Sequence, residues 1–322
     1  MLSSAVRLGF HRVFVRRITL RCGMRARIDH ATVACFHTTI PSHRIMPRMR
    51  IALLTIAAMF AFAGNSLLCR IALKGTSIDP ATFTTVRIAS AAIVLWIVLR
   101  SRGKARAVEG NWLSAFALFV YAAAFSFAYV SLAAGSGALL LFGAVQATMI
   151  GYALSRGERL RVLQWMGLAC ALAGLVGLVL PGVSAPPLIA SLLMLCAGVA
   201  WGVYSLRGKR AADATATTAG NFIRAIPFAL AISAAMLARA SIDRMGLLFA
   251  ALSGALTSGV GYVIWYAALK ELKAATAATV QLSVPLIAAA GGIALLGEPL
   301  TARLALSAAA ILGGIALVIG RR

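Results

Sequence analysis

The chain has 322 residues, 61% of them hydrophobic and only 12% charged, with 31 Lys and Arg against 8 Asp and Glu. Ordinary soluble domains carry about a quarter charged residues, so this composition excludes one. The net charge of +23 does not indicate a nucleic-acid binder, because the cations lie in an N-terminal tail and in alternate loops rather than on one amphipathic face.

Residues 1–48 form a basic extension in which Asp29 is the only acid and which holds all four histidines. Its composition is similar to that of an organellar transit peptide. The plainer reading, and the one we favour, is disordered upstream sequence ahead of a start at Met46 or Met49. No apolar block with a small-residue cleavage site follows the charges, which argues against a secretory signal.

Ten apolar spans follow, at roughly 51–73, 82–99, 112–132, 137–155, 162–180, 187–206, 218–238, 246–269, 275–296 and 303–320. Each approaches the ~20 residues that a hydrocarbon core of ~30 Å demands of a helix. Asp79-Pro80 predicts an N-cap and first-turn proline for the second span. Ala134–Gly137 and Pro181–Pro187 predict tight turns. Five cysteines (Cys22, Cys35, Cys69, Cys170, Cys196) show no metal or redox spacing.

Short-loop cations choose the orientation. The tail, Arg100 to Arg106, Arg156 to Arg161, Arg207 to Arg210, Lys270 with Lys273, and Arg321 with Arg322 share one side. Lys74, Arg239, Arg244 and Arg303 are all that the other side has, so both termini are expected in the cytoplasm.

The chain repeats itself. Gly157, Glu158, Leu160 and Gly174 match Gly297, Glu298, Leu300 and Gly314 at a spacing of 140. Further upstream the spacing is 137, pairing Tyr129 with Tyr266, Arg87 with Arg224 and Arg70 with Arg207. An odd number of spans per copy inserts the second copy upside down, a transporter architecture with its site between the halves. The sequence thus predicts an all-α membrane protein of ten transmembrane helices in two inverted five-helix repeats, at 49–182 and 183–322.

GERL and GEPL before the last span of each half, with the Gly-rich final spans at Ala173-Gly174 and Gly313-Gly314, make residues 50–320 resemble the drug/metabolite transporter superfamily, in its form with two EamA-type repeats. One departure is that the proline usual in the fourth helix of a repeat is present at Pro285 but is Val145 in the first copy. The resemblance implies alternating-access transport of small metabolites through a central cavity. It implies a lining drawn from the first, third and fourth helices of each half, with the last helix of each half peripheral.

No Asp or Glu lies within a predicted span, and no His follows His43. An enzyme therefore lacks its usual groups at depth, and neither a metal nor another cofactor is implied. Glu158 and Glu298 read as structural, each beginning a helix after a closing Gly. Arg87 and Arg224 lie about five or six residues inside their spans. Each either clamps an anionic group or snorkels to the nearer headgroup layer, and snorkelling is favoured. Arg70 and Arg207, nearer their ends, are expected to snorkel.

Asn65, Ser66, Gln146 and Gln281 are mid-depth polar groups that either join helices or face a cavity. Tyr262 and Tyr266 share one helical face and Trp201 and Tyr204 another; an interfacial belt or packing is favoured over an aromatic wall around cargo. Tyr129 completes the candidates. The expected function is secondary transport of a small polar, amino-acid-like metabolite across the plasma membrane (a bacterial inner membrane). The alternative is a non-transporting scaffold or sensor of the same fold. The expected partners are the lipid bilayer and a small-molecule substrate, not nucleic acid, and a homodimer is compatible with this reading.

Overall fold

The computed structural model describes residues 42–103, 108–157, 159–182, 185–208, 211–272 and 274–319. Residues 1–41 of the extension, Glu158, and the loop cations Lys104, Arg106, Lys209, Arg210, Lys273, Arg321 and Arg322 lie outside the described residues. Among the described residues there is no strand, and ten helices are long and apolar enough to cross a bilayer. They are α1 Ser42–Gly75, α2 Pro80–Ser101, α3 Trp112–Tyr129, α4 Ala134–Ser155 and α5 Val162–Val179. The second five are α6 Leu188–Gly208, α7 Ala214–Ala235, α8 Arg244–Leu269, α9 as two segments (Ala274–Gln281 and Ser283–Leu296) and α10 Ala302–Ile319.

The few short polar residues begin these helices, satisfying amides that the first turn leaves bare. Asp79 accepts from the Ala81 and Thr82 amides, both at 2.9 Å, with Pro80 as the first helical residue. Asn111 caps α3, Asp213 caps α7 and Asp243 caps α8. At the other end of a helix, Gly297 closes α9 with φ 63°, the left-handed conformation that costs glycine least.

Asp79 also reaches the second half. Its Oδ2 accepts from the Ser241 amide, and its own N–H donates to the Ser241 carbonyl. Burial by itself raises this carboxyl. Hydrogen bonds from the Thr82 side chain and from the Thr82, Ser241 and Ala81 amides outweigh that and hold it below the usual carboxylate range. A carboxyl held low in the folded state adds stability that is full above its unfolded value, about pH 4. That stability is lost as pH falls through the folded value. Asp79→Ala is therefore expected to cost about 1 kcal/mol at neutral pH, with the gap to the unmutated protein closing below about pH 4. Thermal unfolding at both pH values checks this, and a gap that ignores pH contradicts it.

Two expectations need correcting. Ala134–Gly137 is not a turn but the first turn of α4. A carboxylate from the other half, Glu298, accepts from the Ala134 amide at 2.8 Å and holds a Gly/Ser-rich start helical. Glu298 is structural, but it caps α4 rather than the helix it precedes. In α9 the helix breaks at Leu282, where Pro285 has no N–H for the Gln281 carbonyl and its ring crowds that oxygen. With Val145 in place of a proline, α4 runs unbroken.

Both halves fall in one compact unit, His43–Arg322. α2 packs on α7, α4 on α9 and α5 on α10, each helix against its repeat mate. α3 on α7 is answered by α2 on α8. α6 packs on α3 and α4. α1 in turn meets α8 and α9, with Thr257 against Gly64, Ala61 against Gly261 and Leu67 against Gly291. Such an exchange of neighbours is what a two-fold relation between the copies produces. The final helices meet through glycine: a Cβ on Gly167 would lie 2.6 Å from the Gly314 carbonyl.

Candidate functional site

Midway along the bundle, polar side chains from both halves close on one another. Asn65 of α1 donates from Nδ2 to the Tyr121 hydroxyl of α3 at 3.2 Å. Asn65 Oδ1 accepts from Ser253 of α8 at 2.8 Å, and the Thr257 hydroxyl of α8 stands 3.2 Å from it while reaching the Ser253 carbonyl at 2.6 Å. Those α8 residues lie in a π-helical segment, Ser253–Val260, whose wider turn is a recurrent feature of functional sites. Arg87 of α2 donates from one terminal nitrogen to the Tyr121 hydroxyl at 3.0 Å and from Nε to Ser258 at 3.4 Å.

Arg87 is 1% exposed. It does not snorkel; its guanidinium turns into the bundle and lies over the rings of Tyr121 and Phe125, 5.2 and 4.8 Å from their centroids. Burying a cation costs several kcal/mol after relaxation, whereas each desolvated ring face returns about 2 kcal/mol. Among the described residues the single ion pair is elsewhere, between Arg70 and Glu298, so no carboxylate balances Arg87. Its other terminal nitrogen is buried without a hydrogen-bond partner.

Aromatic rings surround this cluster. Trp201 of α6 lies 4.8 Å from Tyr121, 5.1 Å from Tyr262 and 5.4 Å from Tyr204, centroid to centroid. Phe62 meets Tyr262 and Trp265 edge-on. Of the belt or packing expected for these residues, it is packing that forms. Tyr204, Tyr262 and Trp265 are buried and Trp201 is half-buried, because α6 and α8 carry them into the seam between the halves. Between the rings is a cavity of about 20 Å³. Its walls include Phe62, Asn65, Ser66, Tyr121 and Phe125 from the first half, and Trp201, Thr257 and Tyr262 from the second. Such a space holds one water-sized molecule, whereas small-molecule sites run from about 300 Å³ upward. At that size the space admits no metabolite.

Of the residues singled out from sequence, Asn65, Ser66, Trp201 and Tyr262 line the cavity, and Arg87 reaches it through Tyr121. Arg224 does not join its repeat mate; it donates to the Glu109 and Gly220 carbonyls and ties the α2–α3 loop to α7. Gln146 is buried on α4 with its amide nitrogen unpartnered, and Gln281 is half-buried at the α9 break; neither lines the cavity. Tyr204 stacks behind Trp201, while Tyr266 is half-buried near Gly208. Sequence reading passed over Tyr121, Phe125, Ser253, Thr257 and Ser258. One signal was present: Tyr121 and Ser258 are 137 apart, the same repeat spacing as the arginines, and both reach Arg87.

The two ends of the bundle differ. Arg70, five residues beyond Asn65, is buried rather than snorkelling. Its Nε meets Glu298 at 3.2 Å, and it donates to the Tyr129 and Val130 carbonyls, both at 2.9 Å. This latch joins α1, the end of α3 and the start of α4 to the α9–α10 loop. Tyr129 is buried in it, its hydroxyl donating to the Ala134 carbonyl. At the opposite end the repeat mate Arg207 is exposed, and its partners among the described residues are uncharged, Ser114 and Asn111.

The sequence matches the EamA-like transporter family over residues 49–180 and again over residues 188–320. An uncharacterised protein of Pseudomonas aeruginosa, PA1977, is 54% identical over 278 residues, covering 86% of this chain and 97% of its own. A solved crystal structure that is 19% identical superposes with a TM-score of 0.61, over 85% of this chain and 99% of that one, and so shares the fold. On two matching copies and ten membrane-spanning helices, this chain belongs to the EamA-like transporter family and is a membrane transporter of the drug/metabolite type.

Proposed function

We propose that the protein is a secondary carrier that moves a small polar metabolite across the plasma membrane, the inner membrane of a bacterium, by alternating access. Both termini face the cytoplasm in this reading, since the cation-rich loops lie on their side. The observation that carries it is the small cavity between the halves, walled by polar and aromatic side chains from both. Packed membrane interiors satisfy their polar groups, and an unneutralised Arg beside a small cavity is costly unless something enters. The unequal ends support the same reading: one is sealed by a buried ion pair while its counterpart is exposed, as rocking of one repeat against the other requires.

Cysteine accessibility tests the proposal in a background freed of native cysteines. Ser66→Cys and Thr257→Cys are expected to react with a membrane-impermeant maleimide from each side in turn, at rates that differ at least about tenfold between the two states. Uniform protection from both faces would instead make the protein a scaffold or sensor.

A further inference from the structure

We infer that the chamber takes a net-anionic organic acid, a carboxylate on a flat or apolar body, rather than a zwitterion or a cation. This rests on the carrier reading and narrows its cargo. The argument is one of unused hydrogen-bonding capacity. Asn65 Oδ1 accepts from Ser253, and Nδ2 gives one of its two hydrogens to Tyr121, leaving a second donor. A phenolic oxygen has two lone pairs and one hydrogen. Tyr121 receives Asn65 and Arg87, which fills its accepting side, and no described residue takes its hydrogen. Tyr121 also lines the cavity, so that hydrogen is available to an occupant. The free nitrogen of Arg87 is a donor as well. The Ser66, Thr257 and Tyr262 hydroxyls on the same walls can donate or accept; what the cluster adds to them is donors and positive charge, which a carboxylate, an acceptor with no hydrogen of its own, complements.

An ammonium group would find the reverse. The described acids Asp79, Glu109, Asp213, Asp243, Glu271 and Glu298 all stand at helix ends or in loops, and none lines the cavity. Ring faces hold cations, but Arg87 already occupies those of Tyr121 and Phe125 and would repel a second. The remaining walls, Phe62, Phe142, Trp201 and Tyr262, suit a planar or apolar body.

The test compares metabolites inside and outside cells that carry or lack the protein, then repeats the comparison with Arg87→Gln and Tyr121→Phe. The solutes that respond are expected to be anions at neutral pH without an ammonium group. Arg87→Gln should reduce their gradients by about tenfold or more, and Tyr121→Phe by about threefold to tenfold. Arg87→Gln should also improve the relative transport of uncharged amides of the same acids, a shift that mere misfolding does not produce. If Arg87→Gln fails to reach the membrane, Tyr121→Phe decides, because it keeps the ring under the guanidinium. Responding solutes that are zwitterions or cations would overturn the inference and leave the carrier standing, as would full activity of both variants on anions. No responding solute at all would remove the carrier reading, and this one with it.

Discussion

Glu298→Gln is expected to destabilise the protein by about 3–5 kcal/mol, far more than a surface ion pair would. The glutamine keeps the shape of the side chain and its acceptor toward Ala134, but it strands the Arg70 guanidinium with two backbone carbonyls and no anion. Arg70 is 8% exposed and cannot recover water at that position. Removing both charges, as Arg70→Met with Glu298→Leu, should cost much less, because well-packed apolar replacements avoid the desolvation penalty altogether. What remains is the lost cap on α4, about 1 kcal/mol. Thermal unfolding of Arg70→Met, Glu298→Leu and their double variant, run as a double-mutant cycle beside Glu298→Gln, measures the coupling. A Glu298→Gln protein within about 1 kcal/mol of the unmutated one would show that the latch is not a buried pair.

The second large effect is steric. Gly254 opens the π-helical turn of α8 where α2 crosses it, and a Cβ there would overlap the Arg87 carbonyl and the Ser90 hydroxyl. Backbone cannot yield as a side-chain tip can. Gly254→Val must therefore push α2 from α8 and carry Arg87 away from Tyr121 and Ser258. Overpacking costs about 1–3 kcal/mol in well-packed cores, and a clash with backbone belongs at the upper end or above. Transport should fall by about tenfold or more even where the protein inserts, since a 1 Å misplacement of a positioned group can cost ~100-fold. Gly151→Val is the control, because nothing lies within 4 Å of a Cβ there. Equal expression and transport for the two variants would mean that α2 and α8 need no such approach.

Much of the fold was legible because lipid leaves the chain few choices. Backbone amides in hydrocarbon must bond within their own helix, so run length and charge spacing alone located all ten helices to within a few residues at most ends. The repeat was equally readable from Arg70/Arg207, Arg87/Arg224 and the paired Gly-Glu motifs. The site was legible only in part. Asn65, Ser66, Trp201 and Tyr262 stood out as polar or amphipathic residues in an apolar run, whereas Phe125 and Phe62 did not, since apolar periodicity cannot tell a wall from a core.

The arginines show where linear reading fails. Distance from a helix end says whether snorkelling is open to a side chain, but not what lies across from it. Arg87 turns inward because Gly254 and the small residues of α8 let that helix approach and present Ser258 while α3 presents Tyr121. Its repeat mate Arg224 meets a loop carbonyl instead. Glu298 looked like a cap for the helix that it precedes, yet its carboxylate serves α4, 164 positions away in the chain.

By itself, then, the order of residues determined how many times the chain crosses the membrane, that it does so as two copies, and which of its loops are basic. Those properties follow from local transfer energies and charge. Only the packing of the copies decided which cation is sealed in a latch, which one is buried beside the cavity without an anion, and which is spent on a loop. Each such outcome depends on partners brought together across the seam, and chain spacing carries no information about them.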